Sequence, residues 1–477
     1  MTDGTRIQTR IVIAAATVIA FTAALWAPQV LNDGDSWWHV VAGRLMIARH
    51  GLINTDPFSY TFAGRPWLNH EWLADALFGG AFNLAGWSGV MLLTACAAGL
   101  AAWLLARDVA RWLCGLPLII VLGVALSLVG PHLLARPHLL ALPLLEIWTV
   151  GMVLARARGR GPAWALLPAM TLWANLHGSF FFGLGLTGVF GLEALIAAPA
   201  GQRIGVALRW GGFGVAAAGA ALLTPHGIDG LLLPLRLSGM ASLAHIGEWA
   251  PADFSTVSPL EIALLAALYG FLSRPVRLPP LRALLMLLLV FLALRHVRHE
   301  MLLAIVAPLL LALPLAEAYG HAPRTGDTAA PLPPRLPSPW LAGLAVIVLA
   351  LACARLFAPV MRTDGPAAPI SAMAAVPATL AAQPVLNDYA FGGYLIFRGV
   401  KPFIDSRADL YGDRFVLAYS RLAAGDAAAL GKVLEDRRVR WTILAPATPL
   451  SAAMRAMPGW RLLHADRFAE VEVRASP

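Results

Sequence analysis

The sequence predicts a polytopic α-helical membrane protein of about eleven transmembrane helices, ending in a small extracytoplasmic α/β domain. Three observations carry this. Charge is scarce: 58% of the 477 residues are hydrophobic and 13% are charged, against roughly 25% charged in a soluble domain. Apolar runs long enough to cross the hydrocarbon layer recur up to residue 358. From residue 359 the character changes, with charges, turn signals and short strand-like runs.

The first apolar run, 11–30, follows Arg6 and Arg10. It is longer than a signal-peptide core, and no A-x-A site precedes Asn32, so it reads as an uncleaved first span. Further spans are expected at about 88–106, 115–134, 138–155, 163–177, 180–198, 209–224, 259–273, 281–294, 300–318 and 340–358. The pair 163–177 and 180–198, split by "NLHGSF", also reads as one broken helix. The Pro-rich stretch 321–339 reads as a cytoplasmic linker before the last span. The chain thus divides into a membrane core, 1–358, and a domain, 359–477.

Charge sets the orientation. With the N-terminus in the cytoplasm, fourteen arginines before residue 359 fall on inside segments and seven on the longer outside loops. The positive-inside rule supports that orientation. The expectation is a multi-pass bacterial inner (cell) membrane protein whose terminal domain is periplasmic or extracellular. The net charge of +9 is then explained by cytoplasmic loops and membrane lipids, with no nucleic-acid partner. Cys96, Cys114 and Cys353 are isolated and suggest no disulfide framework.

The outer loops hold the candidate chemistry. Loop 31–87 opens with "NDGDSWWH" (32–39). Asp33 and Asp35 could share a divalent cation, Mg or Mn, or one could act as a base. The plainer reading is a helix cap at Asp35 or Ser36. Trp37 and Trp38 read as interfacial belt residues. "SWWHVVAGRLMIARHG" and "HEWLADALFGGAF" read as amphipathic surface helices, the first ending near Gly51. His39, Asp56, His70, Glu71 and Asp75 add polar groups to this loop, and capping explains "NHEW" (69–72) equally well.

Other outer turns add candidates. Asn175 and His177 in "NLHGSF" are costly at membrane depth unless they line a cavity or turn at the surface. His132, Arg136 and His138 form one cationic cluster, and Arg295, His296, Arg298 and His299 form another. Both oppose the positive-inside trend, and an anionic phosphate site would explain them. Glu248 lies in the second long outer loop, 225–258. In the terminal domain, "PVLNDYAFGGYLIF", "KPFIDS", "VRWTILA" and "FAEVEV" read as strands. Asn387 and Asp388 follow the first of them, and Asp405, Arg407 and Asp409 read as an internal salt-bridge network before direct catalysis.

The order of these parts resembles the C-type, membrane-embedded glycosyltransferases that use polyprenyl-phosphate-linked donors. It is most similar to an uncharacterised bacterial branch related to the oligosaccharyltransferase catalytic subunit and the protein mannosyltransferases. "DGDSWWHVVAGRLMIARHG" stands where those enzymes carry a first-loop acidic motif. "NDYAFGGYLIF…KPFIDSRADLYGD" resembles their "WWDYG" tail segment, although a full "WWDYG" is absent. His and Arg at 130–138 replace a second acidic motif.

The resemblance implies inverting transfer of a sugar from a polyprenyl-phosphate-linked donor to a glycan, lipid or protein acceptor at the outer face. Asp33 or Asp35 would be the base. His132, Arg136, His138, Arg295, Arg298 and His299 would hold the donor phosphate. Trp37, His39, His70, Glu71, Asn175, His177, Glu248, Asn387, Asp388, Asp405 and Arg407 would line the donor or acceptor pocket. A transporter or flippase for a lipid-linked or anionic solute, and a non-catalytic scaffold, remain alternatives.

Overall fold

The computed structural model describes residues 3–320, 333, 334 and 336–475. Most of the expected linker 321–339 lies outside the described residues. The membrane core consists of α1 (Asp3–Trp26), α2 (Asp35–Arg49), α3 (Trp72–Val109), α4 (Gly115–Val129), α5 (Pro137–Ala157), α6 (Leu167–Leu176), α7 (Phe180–Ala197), α8 (Arg203–Ala221), α9 (Gly227–Ser238), α10 (Pro259–Ser273), α11 (Pro280–Arg295), α12 (Glu300–Ala318) and α13 (Ser338–Phe357). Every expected span coincides with a helix. Among the described residues, eight helical stretches are long and apolar enough to cross a membrane, while α6, α10 and α11 are shorter.

Loop 31–87 folds as two crossed helices. α3 bends at Ala85 and Gly86, the latter at φ +57°, so residues 72–84 run separately from the span beyond. α2 crosses this first half so closely that a Cβ on Gly43 would lie 1.8 Å from the Asp75 carbonyl oxygen. Only glycine permits that approach. α2 ends in left-handed His50, φ +49°, one residue before the expected Gly51.

α2 is not a surface helix with interfacial tryptophans. Trp37 is 2% exposed. Its ring meets Trp87, Tyr394 and Phe397 at centroid distances of 4.6, 5.0 and 4.9 Å. Trp38 is buried too, and its indole N–H donates to Ser406 Oγ at 3.0 Å. The terminal domain covers both rings, and that cover is why belt composition misleads here.

The domain contains α14 (Ile370–Ala374), α15 (Ala378–Ala381), β1 (Val385–Asn387), α16 (Gly392–Phe397), α17 (Ala408–Ala423), α18 (Ala427–Asp436), β2 (Trp441–Leu444), α19 (Pro449–Arg455), β3 (Trp460–Ala465) and β4 (Glu470–Arg474). The sheet order is β1-β2-β4-β3. β1 and β2 are parallel, and the other pairs are antiparallel. Apolar residues cover both faces: Val385, Trp441 and Val471 share a cluster with Trp37, while Leu386 and Leu444 pack with Phe403, Ile404 and Tyr411.

Of the strand-like stretches, one is a strand only over Val385–Asn387 and another is not a strand. After Asn387 the chain turns, because Asp388 accepts a bond from the Ala390 N–H and starts a helical segment. "KPFIDS" is a loop. Conversely, β3 carries a strand that the sequence did not signal.

α16 joins the domain to the core. A Cβ on Gly393 would lie 2.0 Å from the Gly34 carbonyl oxygen, which puts this glycine directly against the start of α2, while Gly392 packs against Ile404 and Asp405. Tyr60 Oη donates to the Val385 carbonyl at 3.0 Å, and Thr61 Oγ1 to that of Phe403 at 2.7 Å. Arg407, fully buried, chelates Asp405 at 2.7 Å through two nitrogens and reaches Asp56 at 2.9 Å. Loop 31–87 and the domain therefore pack as one body on the same side.

Candidate active site

A cavity of about 670 Å³ opens between loop 31–87, the turns at 130–138 and 295–300, loop 239–258 and the terminal domain. Asp35, His39, His70, Glu71, His132, Arg136, His138, His177, Glu248, Arg298, His299 and Arg407 all face it.

The first pole of the cavity is built on Arg136. This residue precedes Pro137, which starts α5, so its side chain is presented at a helix entrance. Its Nε and Nη2 donate to the two oxygens of Asp33 at 2.7 and 2.6 Å. Nη2 also lies 2.8 Å from Asp35 Oδ2, and Nη1 pairs with Glu248. Arg298 Nη1 donates to the other oxygen of Glu248 at 2.9 Å and stacks over Trp249 at 4.5 Å.

Asp33 and Asp35 differ in role. Asp33 Oδ2 accepts the backbone N–H groups of Asp35 and Ser36 at 3.1 and 3.2 Å, so the helix cap is Asp33, neither Asp35 nor Ser36. Asp33 lies behind the cavity wall. Asp35 faces the cavity, and its Oδ1 has no hydrogen-bond partner among the described residues. Burial works against the charge of Asp33, but Arg136 outweighs it and holds the carboxyl below the usual range. Burial pushes Asp35 up to about 6; Arg136 opposes this and the Asp33 and Glu248 charges add to it. Glu248, despite its burial, is held at about 2 by Arg136 and Arg298.

The two aspartates do not fit a shared Mg or Mn ion in this arrangement. Such cations take six or more oxygen ligands. Here the Arg136 guanidinium occupies the bridging position, and both Asp33 oxygens are bonded. Among the described residues no group of three His, Cys, Asp or Glu is arranged for a metal.

The second pole lies further along the same face of α2. His39 follows Asp35 by one helical turn and hydrogen-bonds through Nδ1 to Asp75 at 2.5 Å. Asn69 donates to the other Asp75 oxygen at 2.8 Å. Burial disfavours a charge on His39, yet Asp75 prevails and raises its affinity for the proton. Glu71 Oε1 lies 3.7 Å from His70 Nε2 and 3.6 Å from His177 Nε2. Burial pushes the Glu71 carboxyl up, against the pull of His70 and His39.

Several expected site residues lie elsewhere. Arg295 ends α11 exposed and does not face the cavity; the extended backbone at His296 breaks the helix between it and Arg298. Trp37 is core. Asn175 accepts from Trp72 Nε1 at 2.8 Å and donates to the Leu223 carbonyl at 2.9 Å, tying helix ends together. Asn387 bonds the backbone of Phe403 and Ile404, both at 2.8 Å. Asp388 caps the turn after β1, and Asp405 is fully buried against Arg407 and Tyr411. Sequence reasoning missed Trp249, under Arg298, and Ser179, which holds His177. Ser179 was legible only as a hydroxyl two residues from a histidine.

No family model matches the sequence, and no curated protein matches it. Solved structures do match. The fold is shared with two of them. A crystal structure of the Archaeoglobus fulgidus oligosaccharyltransferase tethered to an acceptor peptide superposes with a TM-score of 0.53 at 12% identity, covering 92% of this chain and 68% of that one. ArnT from Cupriavidus metallidurans bound to undecaprenyl phosphate superposes with a TM-score of 0.51 at 12% identity, covering 98% and 99%. At such identity the likeness establishes the fold.

Proposed function

We propose that this protein is an inverting glycosyltransferase that moves a sugar from a polyprenyl-phosphate-linked donor to an acceptor at the outer face of the inner membrane. The observation that carries this reading is the Asp35 carboxylate in the cavity wall, with one oxygen on Arg136 and the other, buried, without a hydrogen-bond partner among the described residues, beside two guanidinium groups. The acceptor's nucleophilic atom gives its proton to Asp35 as it attacks the sugar's anomeric carbon. The bond from that carbon to the donor phosphate breaks on the opposite face, and the polyprenyl phosphate leaves with the electron pair. Arg298, assisted by Arg136 and the neighbouring histidines, neutralises the leaving charge. Glu248 occupies those guanidinium groups until a phosphate takes its place on Arg298. Arg136 performs the bridging between Asp33 and Asp35, and the step proceeds without a resident cation. The acceptor is a glycan, lipid or protein.

Eleven spans are supported by the paths of the shorter helices. Arg156 near the end of α5, Glu193 near the end of α7 and Arg282 near the start of α11 form one ion-pair cluster. α5 and α7 both start at the cavity end, at Arg136 and Ser179, so α6 runs back between them. α11 runs from Arg282 to the cavity turn, and α10 returns the chain from the cavity side. The terminal domain (359–477) and loop 31–87 then share the outer side of the core (1–358), and the arginine bias supports a cytoplasmic N-terminus.

The test is sugar transfer by protein reconstituted in lipid, with polyprenyl-phosphate-linked sugars and candidate acceptors. Asp35→Asn is expected to lose about 100- to 10,000-fold in rate. Wild-type rates in Asp35→Asn would sink the assignment, and solute flux without transfer would favour a transporter.

A further inference from the structure

The Glu71 end of the cavity is polar, yet it differs chemically from the guanidinium end. Glu71 is a cavity-facing carboxylate with 15% of its side chain exposed. Its two imidazole neighbours stand at 3.6 and 3.7 Å, beyond a good N–H···O bond. Both partners are thus close but not joined.

The proton position on His177 follows from its own contacts. The Ser179 backbone N–H donates to His177 Nδ1 at 3.2 Å, so Nδ1 carries a lone pair. Ser179 Oγ accepts from Trp173 Nε1 at 2.9 Å and gives its own proton to Nδ1 at 2.8 Å. The remaining ring proton is therefore on Nε2, directed at the Glu71 side. Glu71 offers an acceptor, and His177 offers a donor 3.6 Å away. One oxygen atom fits at hydrogen-bond distance from both, provided it both donates and accepts. A hydroxyl does that. A phosphate oxygen has no proton for the carboxylate, and an ammonium has no lone pair for the imidazole N–H.

Aromatic surface completes the pattern. Trp38, Trp67 and Tyr389 border the same cavity, the two tryptophans almost fully buried, and Trp38 lies tilted against His39 at 3.7 Å. The guanidinium end, by contrast, suits only an anion.

We propose that Glu71, His177 and His70 form a subsite for the ring hydroxyls of the transferred sugar, with the donor phosphate held at Arg298 at the other end. The substrate class is a neutral, hydroxyl-bearing glycosyl group. This rests on the proposed glycosyl transfer, and it adds which wall of the cavity reads the sugar. Glu71 and His177 are positioning residues here; they fix how the anomeric carbon faces Asp35.

The test compares binding of bare undecaprenyl phosphate with that of undecaprenyl-phosphate-linked hexoses, pentoses and a 4-amino pentose, to wild type, Glu71→Gln and His177→Phe in lipid nanodiscs. At least one hydroxylated sugar should tighten wild-type binding. Glu71→Gln and His177→Phe should each weaken that sugar-bearing lipid by about 10- to 100-fold while leaving the bare lipid unchanged. Unchanged bare-lipid affinity also reports that the variants are folded. If wild type binds bare and sugar-bearing lipids equally, or both variants keep the full sugar increment, the subsite is wrong and the lipid-phosphate reading survives. Weakening confined to the amino sugar also overturns the hydroxyl assignment. If wild type binds none of these lipids, the glycosyltransferase reading fails with it.

Discussion

Arg136 grips Asp33 through two hydrogen bonds of 2.7 and 2.6 Å, although 103 residues separate them. The same guanidinium reaches Asp35 and Glu248, so one cation compensates three carboxylates. Removing it leaves buried charge without a partner. Arg136→Met should cost about 3–5 kcal/mol of stability and abolish transfer. Arg136→Lys should recover part of the stability, since it restores the charge but not the fork. Thermal unfolding in detergent measures both, and a Met variant as stable as wild type would refute the compensation.

The acid limb of the rate profile should belong to Asp35. A base must be ionised, and this carboxyl is pushed up to about 6. Transfer should therefore rise with pH through about 6 and level off above it. Glu248, at about 2, contributes nothing in that range. A folded-state pKa above the unfolded one favours folding at low pH, and that contribution is lost as pH rises toward 6. Asp35→Asn should accordingly raise the unfolding midpoint at pH 8 while it removes activity. A rate profile flat between pH 5 and 7 in wild type would contradict this role.

In the proposed reaction Glu248 competes with the donor phosphate for Arg298. Glu248→Gln should bind undecaprenyl phosphate more tightly, by about tenfold. Titration of the lipid into reconstituted protein measures the change. Weaker binding in Glu248→Gln would mean that the carboxylate positions the guanidinium groups more than it masks them.

Chelation provides a separate check. With Arg136 between Asp33 and Asp35, EDTA should leave transfer unchanged. Activity lost to EDTA and restored by Mg or Mn would require Arg136 to swing away in the working enzyme.

Gly393 should tolerate no side chain. A Cβ there would meet the Gly34 carbonyl at 2.0 Å, so Gly393→Ala should cost about 1–3 kcal/mol and lower transfer. Gly431→Ala is the control, because its Cβ would meet only Met457 Cε at 3.6 Å. Equal unfolding midpoints for the two variants would show that the joint between domain and loop is loose.

Charge in an apolar chain is conspicuous, and that is why Asp35, Arg136, Glu248 and Arg298, which line one cavity, were legible as candidates. Their partners were not. The pairing of Arg136 with Asp33 depends on how the turn at 130–136 folds back, where the Ala135 N–H bonds the Val30 carbonyl at 2.8 Å. Arg295 looked equivalent to Arg298, yet three residues of helix and turn send it away. Trp37 looked interfacial because nothing local reveals that Tyr394 and Phe397 will cover it. Asn387, Asp388 and Asp405 carried the polarity of a site, but their atoms are consumed by backbone and by Arg407. The segment 389–397 alternates poorly as a strand, and the Asp388 cap decided it as helix.

The bond between Asp56 and Arg407 also orders events in time. A ribosome completes Asp56 long before Arg407, 351 residues later. Until then the first loop has an unmatched acid, and the wall formed by Ser406 and Tyr389 is absent. The pocket gains this wall only when the last segment has folded against the first, so a chain that stalls in between has no complete cavity.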